Sequence, residues 1–561
     1  MWRSAPDVTD RTKVRPMSSG RLMTPLAAIA AGALACLAAA PAASAQTPGL
    51  PPLPIQGSGS APSFIGGPAT PNPITGVAEP PTHPFMAPNG RSNIHNDAYQ
   101  TDSYRVSGPL GNGTTTSTFF VRECATIAFD SRGRIVTVCV GLDRPVLAVL
   151  DPVTLATLSA LPLPVRNIQG TSNPFTDFSG GGYFYLDHRD RAVVSTNDRQ
   201  VLEVAVGADA SLSQTRSYDL SGTVASGDGI ISVLPDWSGR LWFVTRTGTV
   251  GTIERESGAV RSIKLGEGIS NSFAVDETGG VFIVTDKALY RFDAGPAGQP
   301  AVSWRQPYPN SGVRKPGQSD AGSGTTPTLM GANWVTITDN ADPMAVQVYR
   351  RTQQIVPSKA KQRSILKKTR NRKSRKKLKA RWRNAKRPVC SAGVFAPGAS
   401  ATDQSLIVAG HSIVVENNYG YSGILATDQG GTTQPGLARV DVVAVKATKN
   451  KNKPKRRQKK GAGKVKRHAC QVQWTSTERA PSVVPKLSLG NGLVYTYTKP
   501  ANSGSDDPWY FTALDFRTGA TVYKRLAGDG LGFNNNYAPV TLGPDGTAYV
   551  GVLGGLVSLR P

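Results

Sequence analysis

Histidine and cysteine are scarce, with five of each in 561 residues. None falls in an H-E-x-x-H or C-x-x-C-H arrangement, so neither that zinc site nor a covalently held haem is encoded. G-x-S-x-G and phosphate-loop motifs are missing as well. After the N-terminal leader no run is long and apolar enough to cross a bilayer, and long helical periodicity is lacking. Gly (59) and Pro (42) are plentiful instead. That balance points to an all-β chain rich in turns.

The leader itself reads as an export signal. Arg3, Arg11, Lys13, Arg15 and Arg21 form a basic region, Thr24 to Ala40 an apolar Ala-rich one, and Ala43-Ser44-Ala45 an A-x-A cleavage site. There is no twin-arginine pair, and Ala33-Leu34-Ala35 before Cys36 is a poor lipobox. Residues 1–45 are therefore expected to be a signal peptide and 46–92, rich in Pro, Gly and Ser, a linker or stalk. Residues 93–561 are expected to form one domain.

Within that domain a turn signal recurs between two short strands. It reads Asp130-Ser131-Arg132-Gly133, then near Asp187 to Asp190, then Asp236-Trp237-Ser238-Gly239 and Asp276-Glu277-Thr278-Gly279. Looser copies follow at Gly331-Ala332-Asn333, Gly410-His411, Gly490-Asn491-Gly492 and Gly543-Pro544-Asp545-Gly546. Asp at the head of such a turn accepts its backbone N–H groups, and the late Gly supplies positive φ. Two long spacings hold two Lys/Arg-rich tracts, at 359–387 and 446–467. With these removed, eight repeats of about fifty residues remain, the mark of an eight-bladed β-propeller with four-stranded blades. The final stretch, Ala538 to Pro561, offers only three strands. An N-terminal strand is expected to close that blade, and Asp102 to Val106 alternates suitably to pair beside Leu556 to Leu559.

A second motif, Ala513-Leu514-Asp515-Phe516-Arg517-Thr518-Gly519, has weaker copies at Thr252 to Gly258 and Val149 to Thr154. It resembles the pyrroloquinoline-quinone-like repeat of eight-bladed propellers and outer-membrane assembly scaffolds. The resemblance implies the fold. The adjacent cysteine pair of many quinone-dependent dehydrogenases is absent, which argues against that cofactor.

The pairing sum across the Asp130–Gly133 turn, 263, sets Cys124 opposite Cys139, so a cross-strand disulfide is expected in an exported chain. Cys390 and Cys470 stand at the feet of the two basic tracts; whether they pair depends on how close the outer strands of neighbouring blades come.

The net charge of +26 is local. The tracts hold 16 and 12 Lys/Arg and no acid, leaving 36 bases against 38 acids elsewhere. Both follow third strands, so they are expected on one face as insertions, free to contact a cell-wall polymer, acidic lipid or nucleic acid, or merely to stay solvated and disordered. Trp382 is their only Phe, Tyr or Trp, so stacking on single-stranded bases is poorly provided for.

On the opposite face, the interblade and second-to-third-strand loops carry Asp320, Asp339, Asn340, Asp342, Glu416, Asn417, Asn418, Glu478, Arg479 and Asn535. Hard oxygen donors of this kind suit a polar ligand or calcium, although Asp and Asn are also ordinary loop residues. His95, His188 and His411 read as strand or turn residues. The sequence thus suggests a monomeric, extracytoplasmic binding or scaffolding propeller with no certain cofactor. The alternative is a calcium-dependent hydrolase or lactonase of the gluconolactonase type.

Overall fold

The computed structural model describes residues 60–141, 143–165, 177, 179–384, 386–445, 467–501 and 507–561. The signal-peptide reading and residues 446–466 of the second tract lie outside them. Eight antiparallel sheets follow one another in chain order and close into an eight-bladed propeller. Blade 1 opens with Glu123–Phe129 and blade 8 ends with Gly555–Leu559.

Middle strands such as Leu241–Thr245 are buried along their whole length, because blades pack against both of their faces. Outermost strands such as Val260–Lys264 hold only partly buried and exposed positions. All eight turn signals join strands one and two of a blade. In blade 1, Asp130 Oδ1 accepts the N–H groups of Arg132 and Arg134 (both 2.9 Å), and its Oδ2 holds Arg134 Nε at 2.7 Å. Asp187–Arg191 and Asp236–Arg240 repeat that pairing.

The second motif works the same way between strands three and four. Asp515 Oδ1 accepts from the backbone of Arg517 and Thr518, and Asp151 does so for Val153 and Thr154. Gly519 is required here. Its φ is +74°, and a Cβ would lie 2.5 Å from the Trp474 ring.

The ring is closed by an N-terminal strand, but not the expected one. Thr115–Phe119 pairs with Gly555–Leu559, Ser117 opposite Val557. An outermost strand is the least buried, so a Thr-rich segment suits it. Tyr104, 2% exposed, belongs inside: Ser103–Tyr104 runs parallel to Leu487–Ser488, the innermost strand of blade 7.

Those two residues end a longer axial segment, residues 91–104. Innermost strands present unpaired N–H groups toward the axis, and this segment's carbonyls accept them. Arg91 takes Phe129 of blade 1, Ser92 takes Leu186 of blade 2, and Ala98 takes Val275 of blade 4. Tyr99, Thr101 and Asp102 then take Leu329, Val408 and Leu487 of blades 5 to 7. Before it, residues 60–92 lie over the ring, with Phe64–Gly66 added as a strand outside Thr521–Asp529.

Both disulfides form. Cys124 and Cys139 face each other as expected, by two compensating departures: Phe129 pairs with Ile135 rather than residue 134, and a bulge before Ile127 restores the register at Cys124. Cys390–Cys470 joins the outermost strands of blades 5 and 6, Cα atoms 5.4 Å apart. The first basic tract is not disordered, as one reading of its composition had it. It forms α1 (Lys359–Lys368) and α2 (Arg372–Asn384), capped by Ser358 and Asn371.

Candidate functional site

Three places on the ring concentrate polar chemistry: the tract roots, the loops of the opposite face, and the axis.

The first tract leaves blade 5 after Arg350 and returns at Pro388. Arg350 donates its N–H to the Arg387 carbonyl at 3.0 Å, and the Arg387 guanidinium stacks 4.0 Å over Trp304. Burial holds Arg387 down to about 10, so it serves the root. Arg351 is likewise structural: it is buried, donating to Asp276 Oδ2, Glu277 Oε1 (both 2.8 Å) and Tyr99 Oη (2.9 Å). The second tract leaves blade 6 after Val445 and returns at Arg467, which pair directly. His468 at that root packs edge-on against Trp334 of blade 5, ring centroids 4.9 Å apart. With Cys390–Cys470, this sets the two roots side by side.

In α2, eight of thirteen residues are Lys or Arg, with no acid in its first turn. Like charges at i,i+4 and a basic helix N-terminus both oppose helix formation. Bound anions would relieve both.

The expected site residues do lie on the opposite face, in second-to-third-strand and interblade loops, but their side chains brace those loops. Asp339 accepts from Ala341, Ala345 and Gln347; Asn340 donates to Asn310 and Val313. Asp342 accepts from Gly398. Asn417 and Asn418 tie residues 399–403 to Pro435 and Pro481. Asn535 donates to the Ala538 carbonyl. Glu478 turns to the rim, to Thr521 and Lys524, and Arg479 donates to the Thr433 carbonyl. Asp320 is exposed. Among the described residues no group of three His, Cys, Asp or Glu side chains could hold a metal ion.

Glu416 is buried, with Asn418 on Oε1 and, among the described residues, no partner on Oε2. Burial raises its carboxyl well above the ordinary range. Holding a proton in the folded state favours folding at low pH; that advantage fades as pH rises above the unfolded value of about 4.3. Glu416→Gln cannot ionise, so it should gain stability over the parent by about 1 kcal/mol or more between pH 4.5 and 8. Thermal melts across that range check this, and parallel curves for the two proteins would contradict it.

At the axis, His95, Asp102 and Lys486 form a buried cluster that the sequence pattern did not reveal. His95 Nδ1 lies 3.1 Å from Asp102 Oδ2. Lys486 Nζ donates to Asp102 Oδ1 and, at 2.6 Å, to the Ile94 carbonyl. Ser405 Oγ stands 3.3 Å from His95 Nε2, so Ser405, His95 and Asp102 follow the order of a proton relay. Two features weigh against catalysis: the adjoining cavity is about 20 Å³, room for one water, and Lys486 already compensates Asp102. Burial holds His95 below its ordinary value, against the pull of Asp102. The cluster anchors the axial segment.

A far larger cleft, about 640 Å³, opens around the axis on the face of the first-to-second-strand turns, opposite the loops expected to hold the site. Residues 76–81 wall one side and the turns Gly331–Trp334 and Gly410–His411 another.

Fold and axial segment define a closed eight-bladed β-propeller in which the roots of two cationic insertions stand side by side on blades 5 and 6. No family model matches the chain. An uncharacterised protein of Archaeoglobus fulgidus is 25% identical over 359 residues, covering 60% of this chain and 62% of that protein, so the match spans under two thirds of either. Among solved structures, BamB from Moraxella catarrhalis is 13% identical, covering 66% of this chain and 93% of BamB, with TM-score 0.36. Kluyveromyces lactis Hsv2 is 10% identical, covering 61% and 83%, with TM-score 0.34. A functionally unknown protein from Desulfotomaculum acetoxidans is 9% identical, covering 69% and 94%, also at 0.34. At such identities the likeness concerns fold alone.

Proposed function

We propose that this protein is an exported β-propeller of the pyrroloquinoline-quinone-like repeat type that binds anionic polymer at the cell envelope, as a binding or scaffolding module. The observation that carries this reading is the Cys390–Cys470 bridge, which gathers the roots of two acid-free tracts on a nearly neutral ring. The Ala-rich leader with its A-x-A site and the two disulfides suit an oxidising compartment outside the cytoplasm. A linear polyanion engaging many Lys and Arg releases condensed counterions, so affinity would be high and steeply salt-dependent. Nothing in the geometry favours the calcium-dependent hydrolase reading over this one.

Excising 359–387 and 446–467 should leave a folded ring and lower affinity for polyphosphate by at least about a hundredfold at low salt. In the parent, polyphosphate should raise helical content, read by circular dichroism, because it neutralises repulsion within α2. Retained affinity after excision would place the partner surface elsewhere.

A further inference from the structure

The cleft of about 640 Å³ on the turn face lies within the range of small-ligand sites. One wall is irregular chain. Ile74 donates to the Leu489 carbonyl, and the Pro80 carbonyl accepts from Asn89 Nδ2, both at 2.9 Å. Pro80 and Pro81 between these ties have no N–H to join a sheet edge. The other walls are largely apolar: Tyr99 and Tyr104 of the axial segment, Trp334 of blade 5, Leu489 of blade 7, and Leu542 and Pro544 of blade 8. Water against such walls is poorly satisfied, and an apolar body that displaces it is favoured.

A charge count across the lining decides what else the ligand carries. Two arginines and three carboxylates stand there. Glu79 pairs with Arg105 at 2.9 Å. Glu277 accepts from Arg351 at 2.8 Å and from Tyr99 Oη. Asp97 accepts the N–H groups of Tyr99 and Thr101 and the Thr101 hydroxyl. Arg91 is left over. Its backbone is fixed, donating to the Pro88 carbonyl and accepting from Phe129, both at 3.0 Å. Its side chain is only partly buried, and among the described residues its guanidinium has no partner. A carboxylate would offer that guanidinium two parallel bonds. A polyanion would bring further charges toward Glu79, Glu277 and Asp97 with no second free cation in the lining to meet them.

We propose that the cleft binds a small aromatic carboxylate, with its carboxylate on Arg91 and its ring among the apolar walls. Three aromatic side chains in the wall favour a flat ring over a flexible chain, which loses more conformational freedom on binding. No residue of the lining belongs to either basic tract, so this is a second site, independent of the polyanion reading.

The full chain is titrated by calorimetry with 2-naphthoate and with 2-naphthamide, a neutral molecule of nearly the same shape. The parent should bind the acid at least about tenfold tighter than the amide, the worth of one charge-assisted contact. Arg91→Met keeps an apolar stem but no charge; it should bring the acid down to the amide's affinity and leave the amide within about twofold. Ala332→Trp fills the mouth from an exposed turn position and should weaken both ligands at least about tenfold. Melting curves confirm that both variants fold. Saturating polyphosphate should leave the parent's affinity for naphthoate within about twofold, because the tracts and the cleft share no residue. Equal affinity for acid and amide, binding of neither at millimolar concentration, or full affinity in Arg91→Met would overturn the site. Displacement of naphthoate by polyphosphate would assign the acid to the tracts and overturn it too, while leaving the polyanion reading in place.

Discussion

Lys486→Ala should destabilise the ring by about 3–5 kcal/mol, the usual cost of removing one partner from a buried ion pair. Lys486 and Asp102 are both fully buried, and the axial segment carries Asp102. Without the ammonium, His95 becomes the sole cation available to Asp102. Its proton affinity in the folded state should then rise. A His pKa raised by folding contributes stability that is full below the unfolded value of about 6.5 and lost as pH climbs through the folded one. The deficit of Lys486→Ala should therefore be smaller at pH 5.5 than at pH 8.5. Pairing Lys486→Met with Asp102→Asn removes both charges and should recover much of the loss. Urea unfolding of the parent, Lys486→Ala and the double variant at both pH values reads this directly. A single variant as stable as the parent would show that the cluster does not anchor the axial segment.

Truncation should act more strongly still. A chain beginning at Gly108 keeps the closing strand Thr115–Phe119 but loses the axial segment, exposing the innermost N–H groups that residues 91–104 satisfy. A chain beginning at Arg122 also loses the fourth strand of blade 8, leaving an open sheet edge. Cooperative melting should weaken in the first and vanish in the second, with aggregation through the free edge. If the chain beginning at Arg122 melted like the parent, closure would contribute nothing.

The ring was readable from its turns because each Asp-headed turn carries its own local reason to form. Asp130, Asp187, Asp236 and Asp276 all bind the backbone just ahead of them, and no distant residue is needed. The closing strand was harder. Tyr104 and Phe119 sit in equally strand-like runs, and only depth in the blade separates them. Depth depends on partners several hundred residues away. The axial segment was unreadable for the same reason: it holds six innermost strands through backbone carbonyls, and such contacts leave no residue pattern.

The loop carboxylates and amides look alike in sequence whether they face a ligand or brace a turn. Asn417 and Asn418 brace. Cys390 and Cys470 stood at the feet of the tracts in the sequence, but their approach depends on how near two outermost strands come, which spacing cannot give.

The central claim is that the two tracts, rooted side by side through Cys390–Cys470, together hold a polyanion. Its most direct test is the slope of log affinity against log salt for heparin, measured on the parent, each single-tract excision and the double excision. A steep negative slope is expected for the parent, intermediate slopes for the single excisions and a slope close to zero for the double, since each charge contact that releases a condensed counterion steepens the slope. A double excision that kept the parent's slope would contradict it.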